Sequence, residues 1–207
     1  MSAMPSTTTE FIVFLVDDNP GVLKALGRFL RVAGYQTKPY QSAEAFLIEH
    51  DASIPGCVVL DHATPGLSGL DVQAALARQG IHRPVIFLTG RGTIAESVKA
   101  MKAGAVDYLT KPVDKVALLS AIRSAEKRDK TQRDVEARNK VVLQRLAKLT
   151  RRERETLKLM TKGLFNKQIA NVMGITEKTI KAHRMRVFKK MGAKNAAEVV
   201  RMTAEYL

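Results

Sequence analysis

Five polar side chains stand at the ends of apolar runs, and together they have the makings of phosphoryl chemistry. Asp17 and Asp18 follow Phe11–Val16, Asp61 follows Cys57–Leu60, Thr89 follows Val85–Leu88, and Lys111 lies just beyond Tyr108–Leu109. Three carboxylates at one spot repel each other unless a cation sits among them. Oxygen-only ligands suit a hard ion such as Mg²⁺, which takes few carboxylates and keeps waters for a phosphoryl group. A lysine facing them can stabilise phosphate charge. A threonine hydroxyl can donate to a phosphate oxygen, and one carboxylate can itself be the nucleophile, forming an aspartyl phosphate. Each residue taken singly is an ordinary cap or solvated group, so the argument rests on all five falling at the ends of apolar runs.

The elements that must position them follow from the pattern between those runs. Pro20–Ala33 carries helical periodicity at Val22, Leu23, Leu26, Phe29 and Leu30, with Asn19 as cap and Pro20 at the first position. Further helical segments lie at Ala43–Glu49, Leu70–Arg78 and Ile94–Lys102, and a second strand is placed near Gln36–Tyr40. Short apolar runs separated by helices mark a parallel sheet covered on both faces. The pattern predicts an α/β doubly wound, five-stranded parallel sheet over residues 10–123. Ligands of such sheets bind beyond the carboxyl ends of the strands, which brings the five polar residues into one crevice.

Charge separates the rest of the chain from this part. The net charge is +14, with 12 basic and 11 acidic residues in 1–123 against 22 and 9 in 124–207. A basic excess confined to one part points to a polyanion, most simply nucleic acid. Cys57 is the single cysteine, which excludes an internal disulfide or a cysteine zinc site, and its apolar surroundings make it inert core. No window approaches the ~18 apolar residues of a membrane span. With no signal-peptide pattern at the start, a cytoplasmic protein without membrane contact is expected. Residues 1–9 read as a disordered lead-in.

No glycine or proline occurs from Asp114 to Leu149. Leu118, Leu119 and Ile122 should pack on the first domain, while Glu126–Arg138 is almost wholly polar. One long helix is expected, with residues 124–145 as an exposed linker; a flexible coil is the alternative. Residues 146–207 read as an all-α domain of four helices. Thr150 and Glu153 form a capping box before the first, and Gly163 closes it. Asn166 is expected to cap the second, closed by Gly174; Thr176 caps the third, closed by Gly192; and the fourth starts near Asn195.

Wound at 100° per residue, Thr176–Met191 places Ile180, His183, Val187 and Met191 on one face, with Arg184 at its edge. Lys178, Lys181, Ala182, Met185 and Lys189 share the other. The first stripe can join a core. The second offers lysines to guanine edges or phosphates, and small or adaptable apolar groups to thymine methyls. Free backbone N–H groups at the start of the preceding helix, together with Lys167, can hold a phosphate. His183 reads as a packed, hydrogen-bonded histidine rather than a base reader.

These strings resemble known families. Val-Asp17-Asp18-Asn, Leu60-Asp61-His-Ala-Thr-Pro65-Gly66-Leu-Ser-Gly69, Thr89-Gly90, and Lys-Ala-Gly-Ala-Val-Asp-Tyr108-Leu-Thr-Lys111-Pro112 resemble the flavodoxin-like receiver domain of response regulators. Leu149-Thr-Arg-Arg-Glu153, Gly163-Leu-Phe-Asn166-Lys167-Gln-Ile-Ala170 and Gly174-Ile-Thr-Glu-Lys-Thr-Ile180-Lys181-Ala-His183-Arg184 resemble the LuxR-type helix-turn-helix. Together the chain is similar to the FixJ/NarL class of transcriptional response regulators, and nearer the FixJ side.

That resemblance implies a set of roles. Asp61 accepts a phosphoryl group from a sensor histidine kinase, with Lys111 and Thr89 as its catalytic neighbours. Asp17, Asp18, Asp61 and the Ala63 backbone carbonyl ligate Mg²⁺. Thr89 and Tyr108 form a switch pair, and Lys111–Pro112 is a cis peptide. Lys181 and Ala182 are the foremost base readers, followed by Lys178, Met185 and Lys189, with Arg184 beside them and Lys167 on phosphate. The phosphorylated protein dimerises through residues 94–103 and 106–109 and binds promoter half-sites; RNA polymerase is a further implied partner. The linker helix either sets the half-site spacing or masks the DNA-binding face. Thr64, where a methionine is common, and His62 depart from the pattern without removing a ligand. With Ala63 and Arg91 they leave the phosphoryl lifetime open, and His62 reads as a solvent-facing loop residue.

Two other classes fit these residues less well. An aspartyl-phosphate phosphatase carries a second acid two residues after its nucleophile, where this chain has Ala63. A pure phosphorelay module has no need of the basic C-terminal helices. A regulator whose only catalysis is its own phosphorylation and dephosphorylation fits both halves.

Overall fold

The computed structural model describes residues 10–63, 66–90 and 93–206. The lead-in expected at 1–9, Thr64 and Arg91 lie outside the described residues. The chain divides into two compact units, residues 1–133 and 134–207.

The first unit alternates strand and helix. β1 (Ile12–Val16), β2 (Gln36–Tyr40), β3 (Gly56–Asp61), β4 (Val85–Thr89) and β5 (Asp107–Thr110) form one parallel sheet in the order β2-β1-β3-β4-β5. Between them run α1 (Pro20–Val32), α2 (Ala43–Glu49), α3 (Gly69–Arg78) and α4 (Ile94–Lys102). Successive strand residues point to opposite faces, which divides the core in two. Phe14, Val16, Val58, Leu60 and Phe87 pack with Phe46, Val72, Leu76 and Ala100 of α2, α3 and α4. Val13, Leu15, Cys57, Val59, Ile86 and Leu88 pack with Leu23 and Leu30 of α1 and with Leu118, Ile122 and Ala125. Every residue of β3 and β4 is buried, as strands covered on both faces must be. Cys57 is fully buried, and burial pushes its thiol far above the ordinary range.

α5 (Lys115–Ala147) is one uninterrupted helix, so the coil alternative for the linker is set aside. The exposed stretch, however, starts later than residue 124. Ala125 and Asp129 are buried in the first unit. Asp129 pairs with Arg133 at 2.8 Å, one helical turn on. Arg133 in turn donates to the carbonyls of Ala52, Ser53 and Ile54 at 3.0, 2.8 and 2.7 Å. A polar segment can dock when a guanidinium fork finds bare backbone acceptors, and polarity alone does not announce this. Residues 134–138 are exposed throughout.

The second unit is all helical. The end of α5 packs with α6 (Arg151–Thr161), α7 (Asn166–Met173), α8 (Glu177–Met191) and α9 (Ala196–Thr203) around Leu146, Leu149, Leu157, Met160, Ile169, Ile180, Val187, Met191 and Val199. Gly174 and Gly192, at φ 65°, close α7 and α8 in the left-handed conformation. Asn166 does not cap α7: it is the first helical residue, and Phe165 holds the cap position. The Phe165 N–H donates to Gln168 Oε1 at 2.8 Å, so the helix start is served from inside the first turn. No helix among the described residues is long and apolar enough to cross a membrane.

Candidate functional site

The carboxyl ends of the strands bring the acidic residues together. Asp17 is the residue after β1, and Asp61 is the last of β3. Asp17, Asp18 and Asp61 each present an oxygen, and these atoms lie within 4.8 Å of one another. Asp17 and Asp61 are buried at 2% and 8% exposure, whereas Asp18 is exposed. The Asn19 N–H donates to Asp17 Oδ1 at 2.9 Å and fixes its rotamer. The Ala63 N–H approaches Asp61 Oδ1 at 3.4 Å.

Lys111 enters from the far side. Its backbone N–H donates to the Thr89 carbonyl at 2.6 Å, and the Lys111–Pro112 bond is cis. Lys111 Nζ bridges Asp17 Oδ2 at 2.8 Å and Asp61 Oδ2 at 3.0 Å. Burial by itself lowers the pKa of this ammonium, and its bonds to the two carboxylates more than reverse that, leaving it raised. Three carboxylates and one ammonium leave a negative balance and only oxygen donors, a set that fits a hard divalent cation.

Thr89, the last residue of β4, is buried at 2% exposure beside this cluster. The Tyr108 ring packs inward against Phe87 at 5.8 Å. Burial raises the pKa of its phenol, and the adjacent Thr89 hydroxyl offsets part of that effect.

His62 does not face solvent. Its side chain is 12% exposed, and its ring meets Phe87 at 6.0 Å and Tyr108 at 5.6 Å, both edge-on. The expectation failed because His62, although already in the turn after β3, still donates its N–H to the Leu88 carbonyl at 2.8 Å, which continues the strand's ladder and keeps its ring beside Phe87.

Two acids escaped the sequence reading. Glu44 of α2 accepts from the Leu67 N–H at 3.1 Å and so grips the loop after Asp61. A Cβ on Gly66, at φ 87°, would stand 2.6 Å from Glu44 Oε1, so the glycine serves both the turn and this approach. Glu96 caps α4 with Thr93 and lies 3.3 Å from His62 Nε2. The Thr93 donors, then His62, hold its carboxyl down to about 2. The Thr93-x-x-Glu96 capping box is visible in the sequence; Glu44 leaves no local signal.

In the second unit Ile180, Val187 and Met191 are buried and His183 is half-buried, its Nδ1 carrying no hydrogen bond among the described residues. Lys178, Lys181, Ala182, Met185 and Lys189 are exposed on the opposite side of α8, with Met185 at 71%. Arg184 is half-buried, its guanidinium 5.8 Å from the Phe188 ring. Lys167 is exposed in the first turn of α7. Among the described residues none of these lysines is in an ion pair. The helix carrying them is anchored from below: buried Glu153 accepts from Lys190 Nζ at 2.6 Å and from the Thr150 N–H at 2.8 Å.

Comparison with known proteins covers both units. Residues 13–123 match the response regulator receiver domain, and residues 137–203 match the bacterial regulatory proteins of the luxR family. The chain is 40% identical to nodulation protein W of Bradyrhizobium diazoefficiens, over 95% of this chain and 86% of that one. It is 38% identical to the transcriptional regulatory protein FixJ of Rhizobium meliloti, over 94% and 95%. Among solved structures it resembles the response regulator StyR, with a TM-score of 0.85 and 36% identity over 95% of this chain and all of that one. Full-length FixJ from B. japonicum is similar at a TM-score of 0.58 and 34% identity, over 95% and 97%.

Proposed function

The chain belongs to the response regulators that join a receiver domain to a LuxR-type DNA-binding domain, and from that premise we propose how its own residues work. The protein is a transcriptional response regulator and not an enzyme of metabolism. Asp61 is the phosphoacceptor, and the observation that carries this reading is the Lys111 bridge to Asp17 and Asp61. It sets one Asp61 oxygen against an ammonium while the other faces the loop.

The donor is a phosphohistidine on a sensor kinase. The Asp61 carboxylate attacks phosphorus, forms a new P–O bond, and the P–N bond to the imidazole breaks. Asp17, Asp18, Asp61 and the Ala63 carbonyl are the residues that would hold Mg²⁺, which supplies charge for the phosphoryl oxygens when bound. Lys111 then exchanges its Asp61 contact for a phosphoryl oxygen, and the Thr89 hydroxyl donates to another. Hydrolysis of the same bond by water resets the protein, the only turnover this site performs.

The output is DNA binding. Lys181 and Ala182, with Lys178, Met185 and Lys189, read the major groove from α8; Lys167 holds phosphate, and Arg184 supports the edge of this face. Dimerisation joins the two events. Ile94, Val98 and Met101 form an apolar stripe along α4 at 85%, 44% and 47% exposure, spaced three to four residues apart. Two such stripes bury each other and present two α8 helices to half-sites about one DNA turn apart. The work is done where the chromosome is, in the cytoplasm, with RNA polymerase as the onward partner.

The test uses acetyl phosphate and Mg²⁺ on the full chain. Phosphorylation should shift wild type from monomer to dimer in sedimentation and tighten operator binding. Asp61→Asn should remain unphosphorylated and monomeric, and Asp18→Ala should lose Mg²⁺ binding together with most of the phosphorylation. A wild-type protein that is stably phosphorylated yet unchanged in mass and affinity would rule out the dimerisation step.

A further inference from the structure

His62 joins three things: the end of β3, the Tyr108 ring, and the first turn of α4. Its backbone is bonded to Asp61 and held to Leu88. Its ring closes a triangle with Phe87 and Tyr108, the three centroid separations being 6.0, 5.6 and 5.8 Å. Its Nε2 lies 3.3 Å from Glu96 Oε1. The second Glu96 oxygen accepts from the Thr93 N–H and hydroxyl, both at 2.9 Å, so the carboxylate that receives His62 is also the cap of α4.

The tautomer follows from the surroundings. Nδ1 is buried and has no partner among the described residues. A buried N–H without an acceptor is costly, whereas a bare ring lone pair is tolerated. The His62 Nε2–H therefore donates to Glu96.

We propose that His62 is the positioning residue of the switch: it holds the Tyr108 ring inward and ties the first turn of α4 to the phosphoacceptor strand. This rests on the reading of Asp61 and Tyr108 given above. A phosphoryl group on Asp61 draws Thr89 toward it and changes the space beside Tyr108. His62 is packed against that ring and bonded to the α4 cap, so the change reaches Ile94, Val98 and Met101 through this side chain.

The experiment measures dimerisation at matched phosphoryl occupancy in the full chain, using acetyl phosphate and Mg²⁺. Occupancy is read by intact mass and dimer fraction by sedimentation. His62→Val, which keeps bulk and loses both the edge-on ring and the donor, should reach wild-type occupancy yet dimerise about tenfold more weakly, since only part of what two aromatic contacts and a hydrogen bond to a carboxylate contribute differs between monomer and dimer. His62→Gln, which restores an N–H donor, should recover part of that loss. Equal dimerisation of wild type and His62→Val at equal occupancy overturns the proposal, and so does a His62→Val protein that cannot be phosphorylated, since His62 would then act on the chemistry instead.

Glu96→Gln gives a second measurement that does not depend on deleting the ring. Its amide oxygen can keep the Thr93 cap while its NH₂ offers His62 no acceptor, so the Nε2–H loses its partner. The ¹⁵N and ¹H shifts of His62 Nε2 should move accordingly. Unchanged ring shifts in Glu96→Gln overturn the link. If wild type itself takes up no phosphoryl group, the reading of Asp61 fails, and the wild-type control shows that separately.

Discussion

A carboxylate buried at a helix start needs donors, and Glu153 has two that do different things. The Thr150 N–H closes the capping box of α6, and Lys190 of α8 reaches in from 37 residues away. Burial alone raises the Glu153 pKa; Lys190 and the Thr150 donors outweigh it and hold the carboxyl below its ordinary value. A folded-state pKa below the unfolded one adds stability that is present above the unfolded value and is lost as pH falls through the folded one. Glu153→Gln should therefore cost about 2 kcal/mol near neutrality, since it leaves Lys190 without its counter-charge. Thermal melts of the two proteins should differ at pH 7 and converge only as pH falls below the ordinary carboxylate range, through the lowered folded-state pKa at which wild type is protonated too. The same residue marks what a sequence discloses at this scale. Thr150-x-x-Glu153 is a local pattern and was readable as a cap. Its bond to Lys190, like those of Glu44 to Leu67 and Glu96 to His62, joins residues 23 to 37 positions apart, and only the packing of the elements sets such pairs.

At the scale of elements, periodicity carried most of the information. The apolar runs located β1, β3, β4 and β5, because strands covered on both faces leave little polar alternation to confuse the reading, whereas the edge strand β2, Gln-Thr-Lys-Pro-Tyr, is mostly exposed and was placed without such a run. The two stripes of α8 fell where a 100° step puts them, since Ile180, Val187 and Met191 are a spacing that only a helix brings to one side. Starts of elements were less legible: α7 begins at Asn166, with Gln168 serving its cap from within, although Asn166 is the better capping residue by type. That difference bears on DNA. With Asn166 in the first turn and Lys167 exposed beside it, the helix start is left to face a phosphate. Lys167→Ala in the full chain should weaken binding to all duplexes alike and reduce the salt slope by about 1. Lys181→Ala should instead change the preferred sequence, costing roughly 1–3 kcal/mol on the best site. Titrations against several duplexes at several salt concentrations separate the two, and parallel losses on every duplex for both variants would remove Lys181 from the reading face.

At the scale of the molecule, the charge asymmetry and the two units tell one story. Residues 1–123 carry a net charge of +1 and residues 124–207 one of +13, so the first part handles a small anion through a handful of placed groups and the second meets a polyanion. The receiver match ends at residue 123, while the first compact unit runs on to residue 133. Charged residues from Glu126 onward suggested open solvent, but Asp129 and Arg133 satisfy each other and the carbonyls of residues 52–54. A fragment ending at residue 123 should therefore melt well below one ending at residue 133, by roughly 2 kcal/mol or more of stability, because it loses buried Ala125 and the Arg133 bonds to residues 52–54, of which Ile54 keeps only its bond from Arg83. Equal melting temperatures would show that the Arg133 contacts add nothing to the first unit.

The Arg133 clamp also sets where a chain of this kind can be spliced. Recombination that exchanges one output domain for another must leave the sensory half able to fold alone. A crossover before residue 133 hands the incoming partner the task of supplying a buried acid and a forked cation at the right turn of α5, which an unrelated helix will rarely do. A crossover in the exposed stretch 134–138 asks only that the helix continue. The usable joint is thus about five residues long, and it lies beyond the point where the receiver match itself ends, at residue 123.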